Sequence, residues 1–230
     1  TATKASLYIL ARILFSIFEN SENLINNTLL FVILPLSLLA MFAGTIMAIY
    51  EKDIKRLLAH SSVAQIGYIT LAFAIGTKAS VAAGFIHMFN HAIIKGGLFI
   101  AITSIGFYIK KRVTINNLSG LGREMPITFF CFVICSLSLA GLPLTAGFIS
   151  KLYLIKASIS SDDIWIAILI LISSALSVVY LWKIIEVMWM RDGRKIVIKE
   201  NPTIYISLII ITFLNIYFGL DASLVVNGSF

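Results

Sequence analysis

Apolar residues run along this chain in blocks too long for the core of a soluble domain, and polar residues gather in the short gaps between them. Blocks long enough to cross about 30 Å of hydrocarbon fall at residues 3–18, 29–50, 57–75, 79–109, 126–158, 164–190 and 202–220. Seven spans are expected, all helical, because only helices and closed barrels satisfy every backbone N–H and C=O in lipid. The fourth and fifth blocks are longer than a straight crossing, so each should tilt, protrude or break. The fifth carries its own break in Gly141, Pro143 and Gly147. Proline removes a backbone donor there and the glycines relax the chain on either side. Discontinuous helices of this kind recur in ion-coupled transporters, whereas the plainer alternatives are a proline kink or a re-entrant hairpin.

Composition agrees with this pattern: 59% of residues are hydrophobic, 13% are charged, and the mean hydropathy is +0.97. The chain reads as an all-α polytopic membrane protein. The net charge of +7 then concerns topology before it concerns partners. Eleven cationic residues crowd loops 51–56, 110–125 and 191–201, against Lys78 and Lys156 in the alternate loops. The positive-inside rule turns the crowded side to the cytoplasm and the end near Asp221 outward, which leaves no basic face for nucleic acid. Thr1 opens into TATKASLYILARILFSIF without the basic, apolar and small-residue zones of a cleavable signal peptide. A short first block and a first residue other than Met lead us to expect sequence missing upstream.

Five cations fall inside spans: Lys4, Arg12, Lys95, Lys151 and Lys183. Arg12 and Lys183 lie toward span ends, where a long side chain reaches the interface, and Glu186 is within pairing distance of Lys183 on one helix face. Lys4, Lys95 and Lys151 sit among apolar or small residues, and intramembrane charges of that kind usually mark an ion path. In GFIHMFNHAIIKGG, His87, His91 and Lys95 are spaced four and four, a polar ridge about 12 Å long on one helix face. Helix 57–75 adds a polar face of His60, Ser61, Ser62, Gln65 and Tyr68, which would hold water beside that ridge or simply bond neighbouring helices. A buried ammonium loses its hydration and a histidine titrates near neutrality, so such groups are suited to passing protons.

Enzymatic readings are weaker. His87 and His91 have the spacing of two metal ligands on one helix, but Met88, Phe89 and Asn90 lie between them and no carboxylate completes a zinc site. No dinucleotide fingerprint, phosphate loop or cysteine cluster is present, so no cofactor is expected, and Cys131 and Cys135 read as core thiols on one helix face.

Three stretches, EKDIKRLLAHSSVAQIGY, GFIHMFNHAIIKGGLF and LSLAGLPLTAGFISKLYLI, carry a resemblance. They look like the antiporter-like membrane subunits shared by complex I (NADH:quinone oxidoreductase), membrane-bound hydrogenases and Mrp-type sodium/proton antiporters. NHAIIKGGLF and the linker NNLSGLGREMP lean toward the Mrp D subunit. The resemblance implies the eighth to fourteenth helices of a fourteen-helix subunit. Residues 1–28 would be a truncated first helix and loop, 29–190 a five-helix repeat, and 191–230 a cytoplasmic loop and the last helix. It implies that Lys151 is the terminal proton site, that His87, His91 and Lys95 feed it, and that Lys4 links the two half-channels. It also implies an energy-transducing membrane such as the bacterial inner membrane. Expected partners are other hydrophobic subunits, with H+ and, for the exchanger, Na+ as the ions. The first function this suggests is a proton-translocating subunit of a cation/proton antiporter. The alternatives are a pumping subunit of NADH:quinone oxidoreductase or a hydrogenase, and a truncated remnant that only packs in a complex.

Overall fold

A computed structural model describes residues 2–17, 29–110, 112–192 and 202–221. Helix α1 (Ala2–Arg12) runs on into a π-helical turn at Ile13–Ile17, and a second π turn at Leu29–Ile33 leads into α2 (Leu34–Tyr50). Next come α3 (Ile54–Ile75), α4 (Lys78–Ile109), α5 (Pro126–Ala140), α6 (Ala146–Ser160), α7 (Ile164–Trp189) and α8 (Pro202–Leu220). No strand occurs among the described residues, and the expected all-α polytopic architecture is what folds. Five described helices, or six with one bent pair, are long and apolar enough to span, against the seven expected, since the first block holds an 11-residue helix and the fifth is two 15-residue halves. Residues 18–28 and 193–201, with the expected loop cations Arg194, Lys195 and Lys199, lie outside the described residues, as does Lys111.

Local chemistry sets the ends of these helices. Asp53 Oδ1 accepts from the N–H groups of Lys55 and Arg56, capping α3, and Gly76 closes that helix at a φ of 73°. Thr77 then caps α4 through the Ser80 N–H. At 32 residues and 1.5 Å per residue, α4 extends about 48 Å, well beyond the hydrocarbon. Helices α2 and α3 touch backbone to backbone, since a Cβ on Gly44 would lie 2.6 Å from Ala64 N. Small residues at such crossings permit the close packing that drives helix association in lipid.

The end carrying the clustered cations is tied together. Asp53 pairs with Arg112 at 3.1 Å, Ile54 N donates to Val113 O, and Ile115 N donates to Lys52 O. The loop expected at 110–125 is better ordered than its polarity suggests. It forms a 3-10 turn at Ile115–Leu118 and a helical turn at Leu121–Glu124, then bends by 118° into α5. Val113, Ile115, Leu118, Leu121 and Met125 are buried in that passage, giving it an apolar underside that the charges flanking it disguise. The expected Lys183–Glu186 pair does not form: Glu186 instead lies 4.0 Å from Arg191, one turn further on, while Lys183 is exposed. Outward positions carry Phe31, Leu39, Phe130, Trp182 and Phe213, the reverse of a soluble surface and suited to lipid.

Candidate functional site: a broken helix and a buried lysine

The fifth block breaks where glycine and proline demand it. Helix α5 ends at Ala140, Gly141 adopts a φ of 89°, and α6 begins at Ala146 after a turn that contains Pro143. Leu144 takes a φ of 70°, a strained conformation for a branched side chain. The two half-helices are locked close: a Cβ on Gly147 would fall 1.8 Å from Ser138 O. Lys151 lies one turn beyond Gly147, and helical side chains lean toward the N-terminus, so its stem folds back onto the break.

There Lys151 Nζ donates to Leu139 O at 3.0 Å, Ala140 O at 2.9 Å and Ser174 Oγ at 2.9 Å. The carbonyls belong to the last turn of α5, where the helix dipole is negative and C=O groups lack intrahelical partners. All three ammonium donors are used and the face of Tyr68 lies 5.1 Å away, so the charged form is fully satisfied without a carboxylate. Ser174 Oγ itself donates to Ala140 O at 2.6 Å. Rotating that hydroxyl would let it donate to a neutral lysine amine, so the pocket has a partner for each protonation state.

His87 stands between this pocket and α3. Its Nδ1 is 2.8 Å from Ser150 Oγ and its Nε2 is 3.0 Å from Gln65 Oε1. Both neighbours are able to accept, so an imidazolium there would have each N–H bonded. The single hydroxyl hydrogen of Ser150 also reaches Gly147 O at 3.1 Å, which links the histidine to the break. His91 stacks parallel to His87 with centroids 6.5 Å apart, yet neither of its buried nitrogens meets a protein partner. Two histidines arranged in this way do not converge on a common point, as metal ligands must.

Lys95 donates to Leu58 O at 2.7 Å and Ser61 Oγ at 2.5 Å, both on α3. It also lines a cavity of about 460 Å³ together with Lys4, Ser62 and His91. A space of that size bounded by polar groups has room for many waters, the element that would join His91 to its neighbours. The polar face expected on α3 is thus divided. Ser61 contacts Lys95, Gln65 contacts His87, Tyr68 contacts Lys151, and Ser62 faces the cavity. His60 stands apart at the cation-rich end, 3.8 Å from Glu51, whose carboxylate the N–H groups of Asp53 and Lys52 hold below its ordinary value.

Sequence reasoning missed Ser150 and Ser174, the hydroxyls that touch His87 and Lys151. Asn90, whose Nδ2 donates to Ala146 O at 2.7 Å, was also missed, as was the wholly buried Asn215 of α8. The signal that could have found Asn90 and Asn215 is an amide in an apolar segment; the serines carry none among so many others.

The family described as NADH:quinone oxidoreductase/Mrp antiporter, transmembrane, matches residues 1–177. NADH-quinone oxidoreductase subunit N of Desulforudis audaxviator is 36% identical over 80% of this chain and 36% of its own length. F(420)H(2) dehydrogenase subunit N of Methanosarcina mazei is 34% identical over 69% of this chain and 34% of its own. The chain therefore spans about a third of the length of these curated relatives. The Mrp complex of a Dietzia species superposes with a TM-score of 0.87 over 99% of this chain and 50% of its own, at 24% identity, a likeness of fold. Both sequence relatives carry the subunit N name, so they favour the quinone-oxidoreductase branch over the Mrp D subunit toward which the linker leans. The protein is integral to an energy-transducing membrane, and by the match over residues 1–177 it belongs to the transmembrane family shared by NADH:quinone oxidoreductase and Mrp antiporters.

Proposed function

We propose that this chain is a proton-translocating part of a subunit-N-like membrane component of a quinone- or related oxidoreductase complex, with Lys151 as its terminal proton site. The observation that carries this reading is the pocket itself: a buried ammonium held by two half-helix carbonyls and one reorientable hydroxyl. Protons reach Lys95 from the cavity of about 460 Å³ beside Lys4. They pass through water and His91 to His87, whose Ser150 and Gln65 partners accept both imidazolium N–H groups, and then to Lys151. Lys4 and Lys95 share that cavity and repel when both are charged, so loading one favours release from the other. Against 100 mV, each proton moved costs about 2.3 kcal/mol, within reach of such a coupling. Residues 29–190 form the working unit, and release is toward the side opposite the cation-rich loops.

Native purification in mild detergent, mass spectrometry of the companions and reconstitution into vesicles test this. The reading expects redox subunits in the particle and a pH gradient driven by substrate oxidation. Companions that are only small antiporter subunits, with a Na+-driven pH gradient, would assign the exchanger instead. A particle without either gradient would assign a structural role.

A further inference from the structure

The last helix enters the site through one amide. Asn215 is wholly buried in the largely apolar sequence LIIITFLNIYFGL, where the other polar side chains are Thr212 and Tyr217, and its Oδ1 accepts from Ser138 Oγ at 2.7 Å. Ser138 Oγ in turn accepts the Gly147 N–H at 3.1 Å. The Gly147 N–H is one of the amides that the first turn of α6 leaves without an intrahelical partner. Thr145, at the N-cap position, does not serve it, because its hydroxyl is turned back to Leu142 O at 2.6 Å. The cap of α6 is thus supplied from the other half-helix, and Asn215 decides which way that cap points.

The direction follows from hydrogen counting. Ser138 has one hydroxyl hydrogen, and while it is committed to Asn215 the oxygen lone pairs face Gly147 N. Without Asn215 that hydrogen is free to turn toward a carbonyl one turn back in α5, the common habit of serine inside a helix, and the lone pairs leave Gly147. The break is tight enough to transmit this. A Cβ on Gly219, one turn past Asn215, would lie 2.5 Å from the Thr145 backbone, so α8 also packs directly on the connecting turn. Lys151 lies on the same face of α6 as Gly147, its Cδ 2.9 Å from where a Cβ on Gly141 would be, with its acceptors at the end of α5.

We propose that Asn215 is a positioning residue for proton transfer. Through Ser138 it holds α6 in register with the end of α5 and so sets which acceptors Lys151 meets. The inference rests on Lys151 being the terminal proton site. Cys135 Sγ, 3.8 Å from Asn215 Nδ2, completes the amide's surroundings from the side of α5.

The test uses the full complex in vesicles, with Asn215→Ala, Ser138→Ala, the double variant and Lys151→Ala, each rate normalised to the amount of assembled protein. Asn215→Ala should lower proton transport about tenfold and move the midpoint of its pH profile by about half a unit or more. Ser138→Ala, a smaller deletion that spares the packing of α8, should do the same. The double variant should be no worse than either single one, because both break one relay. A wild-type rate and pH profile for Asn215→Ala, losses confined to the amount of assembled protein, or losses that multiply in the double variant would overturn the proposal. If Lys151→Ala itself transports normally, the terminal-site reading falls first and the positioning role with it. If Lys151→Ala is inactive while Asn215→Ala is normal, only the positioning role falls.

Discussion

Lys95 and Lys151 are buried alike, 5% and 4% exposed, and neither meets a carboxylate among the described residues, yet they are held in opposite ways. Lys151 spends all three ammonium donors on protein acceptors at the end of a broken helix, under the face of Tyr68. Lys95 spends two, both on the unbroken α3, and faces a cavity. One is a closed pocket whose acceptors exist because a helix was interrupted; the other borrows a carbonyl and a hydroxyl from an intact helix and lies next to room for water. Burial alone therefore does not define a proton site. The supply of acceptors for each protonation state also matters, and under the function proposed above Lys95 loads the proton while Lys151 holds and releases it.

Changes that attack the break should separate the two most widely. Gly147→Ala puts a methyl against a backbone oxygen that cannot retreat, and should cost ~3 kcal/mol or more, read as loss of assembled protein in thermal or denaturant titration. The Lys95 contacts to α3 should survive it. Lys95→Ala should reduce transport on the order of 10²-fold, the scale of a positioned proton carrier, while assembly stays near normal because its two partners stay bonded to each other, Ser61 Oγ donating to Leu58 O at 3.0 Å.

The histidines offer a finer version of the same contrast. His87→Ala takes the His87 partner from buried Gln65 Oε1, leaves Ser150 only its bond to Gly147 O, and should destabilise by about 1–3 kcal/mol, whereas His91→Ala breaks no protein hydrogen bond and should cost less while still slowing transport. Equal stability losses for the two would contradict the bonding described. The smallest effect is expected from Ser174→Ala, which leaves Lys151 two acceptors: about 1 kcal/mol and a severalfold slower rate.

Much of this was legible in the chain itself. The spans follow from apolar block length, and the break follows from Gly141, Pro143 and Gly147, because lipid enforces helix everywhere that glycine and proline do not interrupt it. The four-residue spacing of His87, His91 and Lys95 foretold one face. What it did not foretell is that the face is discontinuous in bonding: His87 is fully partnered and His91 is not, a distinction decided by Ser150 and Gln65 on other helices. Acceptors for a lysine are the hardest to read ahead, since Leu139 and Ala140 contribute only backbone oxygens, which any residue would supply. The order in 112–125 was hidden for a different reason, its buried side chains being too few and too scattered to form a period.

The most direct measurement compares protons translocated per turnover in the assembled complex carrying Lys151→Ala with those in a complex carrying Lys183→Ala, the exposed lysine of α7. The account predicts that the Lys151 variant assembles but loses its share of translocated protons, by about 10²-fold in rate through this path, while the Lys183 variant matches the wild type. Wild-type proton yields from both variants would contradict it.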